Sequence, residues 1–504
     1  SFGIAQNGYM MKNMMNKEYS MYKCNIVDNS VLSISAQCRC DAKYSNFVFK
    51  DNWNAFQSQN TLISLCEILT PLSIKKESKG KLKNSYHLLN ISDQPPEDGI
   101  LNFKNIMLVD EINSDKTILS NSDLIVSKLG MPKGYIYLTP SEMTSLIGST
   151  EFIPYSISIA NLQHFIQYIL LSKEMRRAYS CLETGKTPSH KRVNPEEFLK
   201  IKIPVISVGD ACCLANQEIK GCVEKISKIQ STLENLPQKI NEIFALEFEY
   251  DVDIANEFGK GISQPTQVLP EKGCRIFSAN FSDLSRKSGL RLSTRFNNLQ
   301  TQKLTSILSS VPTIKLSSVI SEPVHRGKSP KYDTNGEIPV VKTAHLQNGK
   351  VNISTEEFVA ADSYEKSPKA QVFTNDILMA STGKGSIGKV SIVKTSEKLF
   401  ADSHITIIRF DTQKYNPVFA LYFFQSILGY FQIERDYTGC TNQVDIYPES
   451  ISDFLLPDIS LDAQQLIVDK IHNEISKQNK AKKEIVKIRA EIDEIIKNTL
   501  LNDN

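Results

Sequence analysis

The chain has 504 residues, 41% hydrophobic and 23% charged, with a formal net charge of +2. These are the proportions of soluble globular proteins, and the length corresponds to roughly three domains. No apolar run approaches the roughly 18 residues of a membrane span, and a nucleic-acid binder of this charge must gather its basic residues locally.

Residues 1–28 form an N-terminal tail with no secretory pattern, since the 10–15 region is broken by Lys12 and Asn13. The ten cysteines include Cys38-Arg39-Cys40 and Cys212-Cys213 but no C-x-x-C, so buried free thiols in a reduced, cytoplasmic setting are expected. A first mixed α/β unit is expected over 29–208. Strands are predicted at 123–128, 135–138 and 152–159, the first two around a Gly130–Gly134 turn. Leu162, Phe165, Ile166 and Ile169 then have helical spacing.

A long helix is predicted over 211–248, within a spacer segment 209–255. Its seam carries Val223, Ile226, Ile229, Leu233, Leu236, Ile240 and Ile243 at steps of three and four, a coiled-coil spacing. Pro237 should bend or restart it. A linker over 256–273 holds Gly259, Gly261, Pro265, Pro270 and Gly273. The second mixed α/β unit, 274–458, is predicted to have strands at 376–380, 389–393 and 404–409. Asn416-Pro417 should start a helix bearing Val418, Leu421, Tyr422 and Leu428. A second long helix over 461–500, within 459–504, places Ile475, Gln478, Ala481, Ile485, Ile488, Ile492 and Ile495 on its seam.

The two seams are separated by a constant 252 residues, and the rest of the chain repeats with nearly the same offset. Arg39-Cys40-Asp41-Ala42-Lys43-Tyr44 aligns with 291–296, Asp123-Leu124-Ile125-Val126-Ser127 with 376–380, and Gly130 with Gly383. Thr184-Gly185 aligns with Thr438-Gly439, and Pro195, Pro204 and Ser207 with Pro448, Pro457 and Ser460. This is duplication of a whole domain with its helix. The expected fold class is α+β, two repeated α/β domains separated by two long helices that pair antiparallel within the chain.

No catalytic constellation is present. The sequence lacks a phosphate loop, a dinucleotide fingerprint and a nucleophile elbow, and its seven histidines form no H-x-x-x-H pair. His404 and His164 fall in a predicted strand and helix, where structural roles are commoner. No metal site is expected. What recurs instead are polar, basic, glycine-containing loops at matching places, able to grip phosphates and read base edges. In the second unit these hold His325, Arg326, Lys328 and Lys331; Lys342 and His345; Thr382, Lys384, Ser386 and Lys389; and Thr438, Thr441, Asn442 and Gln443. In the first they hold Lys75, Lys76 and Lys79 in one lysine-rich loop with Lys81 and Lys83. Lys128 and Lys133 lie near the glycine turn, and Lys186, Ser189, His190, Lys191 and Arg192 in a third loop.

From about Gln37 to Leu500 the chain resembles the specificity subunits of type I restriction–modification systems. The resemblance is carried by Arg39-Cys40-Asp41-Ala42-Lys43-Tyr44, similar to an arginine–aspartate–alanine–aromatic entry motif, and by Ile338-Pro339-Val340-Val341-Lys342-Thr343. It is also carried by 376–380 with its glycine loop, by Thr438-Gly439-Cys440-Thr441-Asn442-Gln443, and by Phe454-Leu455-Leu456-Pro457 followed by Gln464-Gln465. The first half departs from the pattern, with Leu129-Gly130-Met131-Pro132-Lys133-Gly134 as its glycine loop and no Gln-Gln opening its helix. The resemblance implies two target recognition domains reading the halves of a split, asymmetric DNA site, held apart by the helix pair. A helix of about 38 residues spans roughly 55 Å, enough to separate two readers by one duplex turn. It also implies a non-catalytic subunit that recruits two adenine methyltransferase subunits and, in the full complex, ATP-dependent restriction subunits. No cofactor is expected on this chain; S-adenosylmethionine is expected on the methyltransferase. The neighbouring readings are the specificity subunit of a type IIB system, a self-contained DNA-modifying enzyme, and a coiled-coil scaffold.

Overall fold

The computed structural model describes residues 39–501 except 40, 58–60, 97–98, 141, 160, 188–189, 206–208, 255–266, 270–273, 277–292, 348, 354, 356 and 441–442. The N-terminal tail, most of the 256–273 linker, Arg291 and Leu292 therefore lie outside the described residues. The fold is mixed α/β and divides into two compact units. Unit 1 comprises residues up to Thr232 together with Lys483 onward, and unit 2 comprises Leu233–Lys482. Among the described residues, helices of nine residues or more are numbered α1 Gln163–Leu171, α2 Lys173–Leu182, α3 Asp210–Thr232, α4 Leu236–Glu247, α5 Leu299–Ser310, α6 Pro417–Gln425, α7 Ile427–Asp436 and α8 Leu461–Leu501.

Unit 1 is built on a four-stranded antiparallel sheet in the order Leu69–Pro71, Phe152–Ile157, Leu124–Ser127, Ile136–Leu138. All four residues of Leu124–Ser127 are buried, which suits a central strand covered on both faces. Helix α1, buried from Phe165 to Leu171, packs on the Ile136–Leu138 strand. Ser172 then caps α2 by accepting from the Met175 amide. A second sheet runs Lys76–Glu77, Lys116–Ile118, Leu146–Ser149, Gly80–Leu89, Met107–Ile112. This corrects the lysine-rich loop expected over 75–83, because Lys81 and Lys83 lie in the Gly80–Leu89 strand. Leu82 is buried between these two exposed lysines, an alternation of period two that a strand requires. Leu62–Ser64 pairs with Lys202–Pro204, joining the first and last strands of the unit immediately before α3.

In unit 2 a six-stranded sheet runs His325–Arg326, Ile405–Ile408, Ile377–Ala380, Val390–Ile392, Gly349–Val351, Leu346–Gln347. A four-stranded sheet holds Phe358–Val359, Ile338–Val341, Leu399–Ala401 and Gln371–Val372. Thr313–Lys315 pairs with Leu455–Pro457, which again places the strand that precedes the long helix beside an earlier one. Asn416 caps α6, its side chain accepting from the Val418 amide. The Gln464-Gln465 motif ties α8 to that cap. The Gln464 side chain accepts from the Asn416 amide at 2.8 Å, and the Asn416 side chain donates to Gln465 at 2.9 Å.

The first long helix, expected over 211–248 with a bend or restart at Pro237, is two helices, α3 and α4, separated by residues 233–235. Pro237 is the cause: its ring would clash with the carbonyl of Leu233, and it has no N–H to donate. It is tolerated at the second position of the restarted helix, where no intrahelical donor is needed. Helix α4 packs into the unit 2 core, with Ile240 and Phe244 clustering with Phe419, Phe423, Ile467, Val468 and Ile471. The Phe244 ring lies 5.8 Å from that of Phe419 and 6.0 Å from that of Phe423. Phe244→Ala is expected to destabilise unit 2 by about 3–5 kcal/mol. Chemical denaturation of the full chain should show a transition shifted to lower denaturant.

Candidate nucleic-acid interface

Three loops meet in unit 2. The glycine loop 381–389 leaves the Ile377–Ala380 strand, and Gly383 donates its amide to the Val444 carbonyl. Ser381 donates to the His404 carbonyl at 3.0 Å and accepts from the Ile446 amide at 2.9 Å. These bonds stitch the glycine loop to the hairpin Thr438–Cys440/Gln443–Asp445 on one side and to the turn at 402–404 on the other. At the hairpin only glycine fits, because a Cβ on Gly439 would lie 2.2 Å from the Gln443 carbonyl oxygen.

Several expected residues are brought together here. The Thr382 hydroxyl lies 2.8 Å from His404 Nδ1, and Thr438 donates to the Asp445 carbonyl. Arg326 reaches across, its Nη2 donating to Asp445 Oδ1 at 3.0 Å and to the Ile446 carbonyl at 2.8 Å. Its guanidinium also lies 5.4 Å from the Tyr447 ring. Lys328, Lys384, Lys389 and Gln443 are exposed and Ser386 is half-buried, while Thr441 and Asn442 lie outside the described residues. Other expected residues are engaged elsewhere. His325 Nε2 sits 2.9 Å from Glu322, which also pairs with Arg409; Arg409 in turn grips the buried Asp376. Lys342 bonds Glu357 and Tyr332, which push its pKa up to about 12, and its amide donates to His345 Nδ1. Lys331 is exposed.

Unit 1 gathers a comparable group. Gly130 donates to the Lys191 carbonyl, Lys128 donates to the Glu151 carbonyl, and Val193 donates to the Lys128 carbonyl. Arg192 forms a bidentate pair with Glu151, whose carboxylate also lies 3.8 Å from Lys128. Lys191 lies 3.8 Å from Glu183, a carboxyl that burial raises while Lys191 and Lys133 draw it back down. The Thr187 hydroxyl lies 2.7 Å from His190 Nδ1. Lys133 and Lys186 are exposed, and Ser189 lies outside the described residues. Lys75, Lys76 and Lys79 belong to the other sheet and its turn, not to this group.

The residues that sequence reasoning missed are the carboxylates and the histidine that organise the loops: Glu151, Glu183, His404 and Asp445. Glu151, His404 and Asp445 lie in or beside a strand and Glu183 ends α2, and nothing in their local patterns distinguishes them from ordinary surface groups. The Arg39 of the entry motif also has a definite task. It donates to the carbonyls of Cys181, Leu182 and Glu183 and stacks 4.2 Å over Tyr44, closing the C-terminal end of α2. Among the described residues no group of three or more His, Cys, Asp or Glu could hold a metal.

The hydrogen bonds from Arg192 hold the Glu151 carboxyl below its ordinary value, against the opposing effect of burial. A carboxyl whose folded pKa is depressed contributes stability above its unfolded pKa, and this is lost as the pH falls through the folded value. Unit 1 should therefore lose stability as the pH falls below about 4.5, the ordinary value for glutamate. Glu151→Gln should flatten that part of the profile, as read by thermal unfolding between pH 7 and 3.

Residues 313–489 match the family model described as the type I restriction modification DNA specificity domain. Among solved structures, a chain from work on complex assembly and conformational transition of the type I R-M system is 12% identical. The match covers 89% of this chain and 100% of that one with a TM-score of 0.42. The type I restriction–modification S subunit of M. genitalium is 14% identical, with 89% and 98% covered and a TM-score of 0.41. The HsdS subunit of Thermoanaerobacter tengcongensis is 12% identical, with 88% and 97% covered and a TM-score of 0.28. No curated protein matches. The match to a DNA specificity domain thus covers residues 313–489, nearly all of them within unit 2.

Proposed function

We propose that this chain is the DNA-recognition subunit of a restriction–modification assembly. It reads a bipartite, asymmetric duplex site through its two units and brings adenine methyltransferase subunits to it, without performing the chemistry itself. The observation that carries this reading is the recurrence of one loop scaffold in both units. The bonds Lys128 to Glu151, Gly130 to Lys191 and Val193 to Lys128 have counterparts 253 residues on, at Ser381 to His404, Gly383 to Val444 and Ile446 to Ser381. The scaffold is kept while the side chains it presents differ, as two readers of unlike half-sites require.

The helices support a spacer that pairs with itself. Within unit 2, Glu247 on α4 meets Lys470 on α8, and Ile240 and Phe244 share a cluster with Ile467, Val468 and Ile471. Within unit 1, Ile219, Cys222 and Ile226 of α3 are buried, as are Ile485, Ile488, Ile492 and Ile496 of α8. Burial raises the Cys222 thiol, and Glu491 of α8 adds to that rise. Val223, Leu233, Leu236, Ile475 and Gln478 are half-buried. Leu214 and Leu466, 252 residues apart, stand 57% and 56% exposed. One apolar point presented twice suits two copies of a methyltransferase subunit, with Lys225, Lys228, Lys480, Lys482 and Lys483 exposed on the same helices.

Duplex binding should weaken steeply with salt, and Lys384→Glu should lower affinity and reduce the slope of log K against log salt by about one. Wild-type binding by both Lys384→Glu and Lys389→Glu at every salt concentration would exclude the glycine loop from the interface. Leu214→Glu and Leu466→Glu should each remove one methyltransferase copy from the reconstituted complex, measured by its mass. The overall reading is tested by mapping genomic adenine methylation in cells with and without this chain. A split motif that appears only with the chain supports it.

A further inference from the structure

We infer that Arg192 reads a guanine in the half-site contacted by unit 1; this rests on the DNA-recognition reading above. A guanidinium has five N–H donors in a rigid plane. Arg192 gives Nε and Nη2 to the two carboxylate oxygens of Glu151 at 3.0 and 2.8 Å, and Nη1 to the His190 carbonyl at 3.2 Å. One hydrogen is left on each of Nη1 and Nη2, and the side chain is 37% exposed. The clamp therefore orients a two-donor group at the centre of the loop cluster.

Two features separate a base reader from a phosphate contact here. The Arg192 charge is already answered by Glu151, so its attraction for phosphate is weakened while its directional donors remain in place. Charge for phosphates is supplied instead by Lys133 and Lys186, exposed on neighbouring loops. In the major groove only guanine offers two acceptors side by side, O6 and N7; adenine places a donor beside its N7.

Unit 2 supplies an internal contrast. The position 253 residues after Arg192 is Asp445, and the arginine that meets it, Arg326, comes from another strand. Arg326 spends both Nη2 hydrogens on Asp445 and Ile446, and its Nε is buried without a partner. It locks the hairpin, and the two hydrogens it keeps on Nη1 diverge from one nitrogen instead of forming a parallel pair. The arginine-dependent guanine thus belongs to one half-site only.

The test is selection of bound duplexes from a randomised library by the full-length chain and its Arg192→Ala, Arg192→Lys and Glu151→Gln variants. The wild type should select a split motif with one invariant G·C pair in one half. Both Arg192 variants should lose about tenfold to a hundredfold of the discrimination at that pair, leaving every other position unchanged. Glu151→Gln should relax the same pair to a smaller extent, because it loosens the clamp without removing the donors. Intact preferences in the other half-site, with a cooperative unfolding transition retained, show that the variants remain folded. Retained discrimination in both Arg192 variants, or a uniform loss of affinity across all sequences, would overturn the assignment and leave the DNA-recognition reading standing. A wild-type chain that selects no sequence would overturn both.

Discussion

A helix of 41 residues with a narrow apolar stripe must bury that stripe along its whole length, and no single small core can do so. The chain meets this constraint by sharing α8 between its two units, residues up to Lys482 counting with unit 2 and those from Lys483 with unit 1. At its N-terminal end the helix is part of a domain core: Ile467, Val468 and Ile471 are no more than 3% exposed. Gln464 is also buried, and its side chain bonds the cap of α6. The start of the long helix is therefore fixed by the same packing that forms the sheet-and-helix core of unit 2. A change in that core would be felt in the direction the helix takes.

The closing strand pairs serve the same end. Leu62–Ser64 pairs with Lys202–Pro204, and Thr313–Lys315 with Leu455–Pro457. In each case the strand that leads to a long helix is anchored to an earlier strand, and the proline at its end stops it before the helix begins. Loops on the sheet are then free to vary without disturbing the exit. The glycine turns show how little the variable part has to contain. Three backbone hydrogen bonds and one glycine per hairpin hold the loops, at Gly185 in unit 1 and Gly439 in unit 2, where a Cβ would meet a carbonyl oxygen at 2.3 and 2.2 Å. None of these backbone bonds depends on a side chain, so they recur in both units although the residues around them differ.

Backbone-level features were legible in the sequence, and partner-level features were not. The strands at Leu124–Ser127, Phe152–Ile157, Ile377–Ala380 and Ile405–Ile408 declared themselves by continuous apolar runs, and α6 by Asn416-Pro417. Pro237 marked the break between α3 and α4, although the chain leaves the helix three residues earlier than the seam pattern implied. The Gly80–Leu89 strand was hidden because Lys81 and Lys83 read as a basic loop, and only the buried Leu82 between them betrays the pleat. The carboxylates were hidden for a different reason. A glutamate that clamps an arginine 41 residues away has the same local sequence context as one in free solution, so Glu151 and Asp445 emerge only when the loops are folded together.

Those two carboxylates show how one recurring loop scaffold can present unlike surfaces. In unit 1 the hairpin strand presents Arg192, and the carboxylate comes from the neighbouring turn at Glu151. In unit 2 the hairpin presents the carboxylate, Asp445, the neighbouring turn presents His404, and the arginine comes from the edge strand at Arg326. An ion pair is kept in both, which holds the loops against one another in a partly exposed setting where either charge alone would be poorly satisfied. Reversing which element carries which charge changes the surface donors. Arg192 keeps hydrogens on both terminal nitrogens, whereas Arg326 turns Nη2 inward, and Thr382, His404 and Gln443 are among the polar groups of that surface. A lock between loops is thus present in both units, and the choice of which side chain completes it decides which donors and acceptors each unit presents.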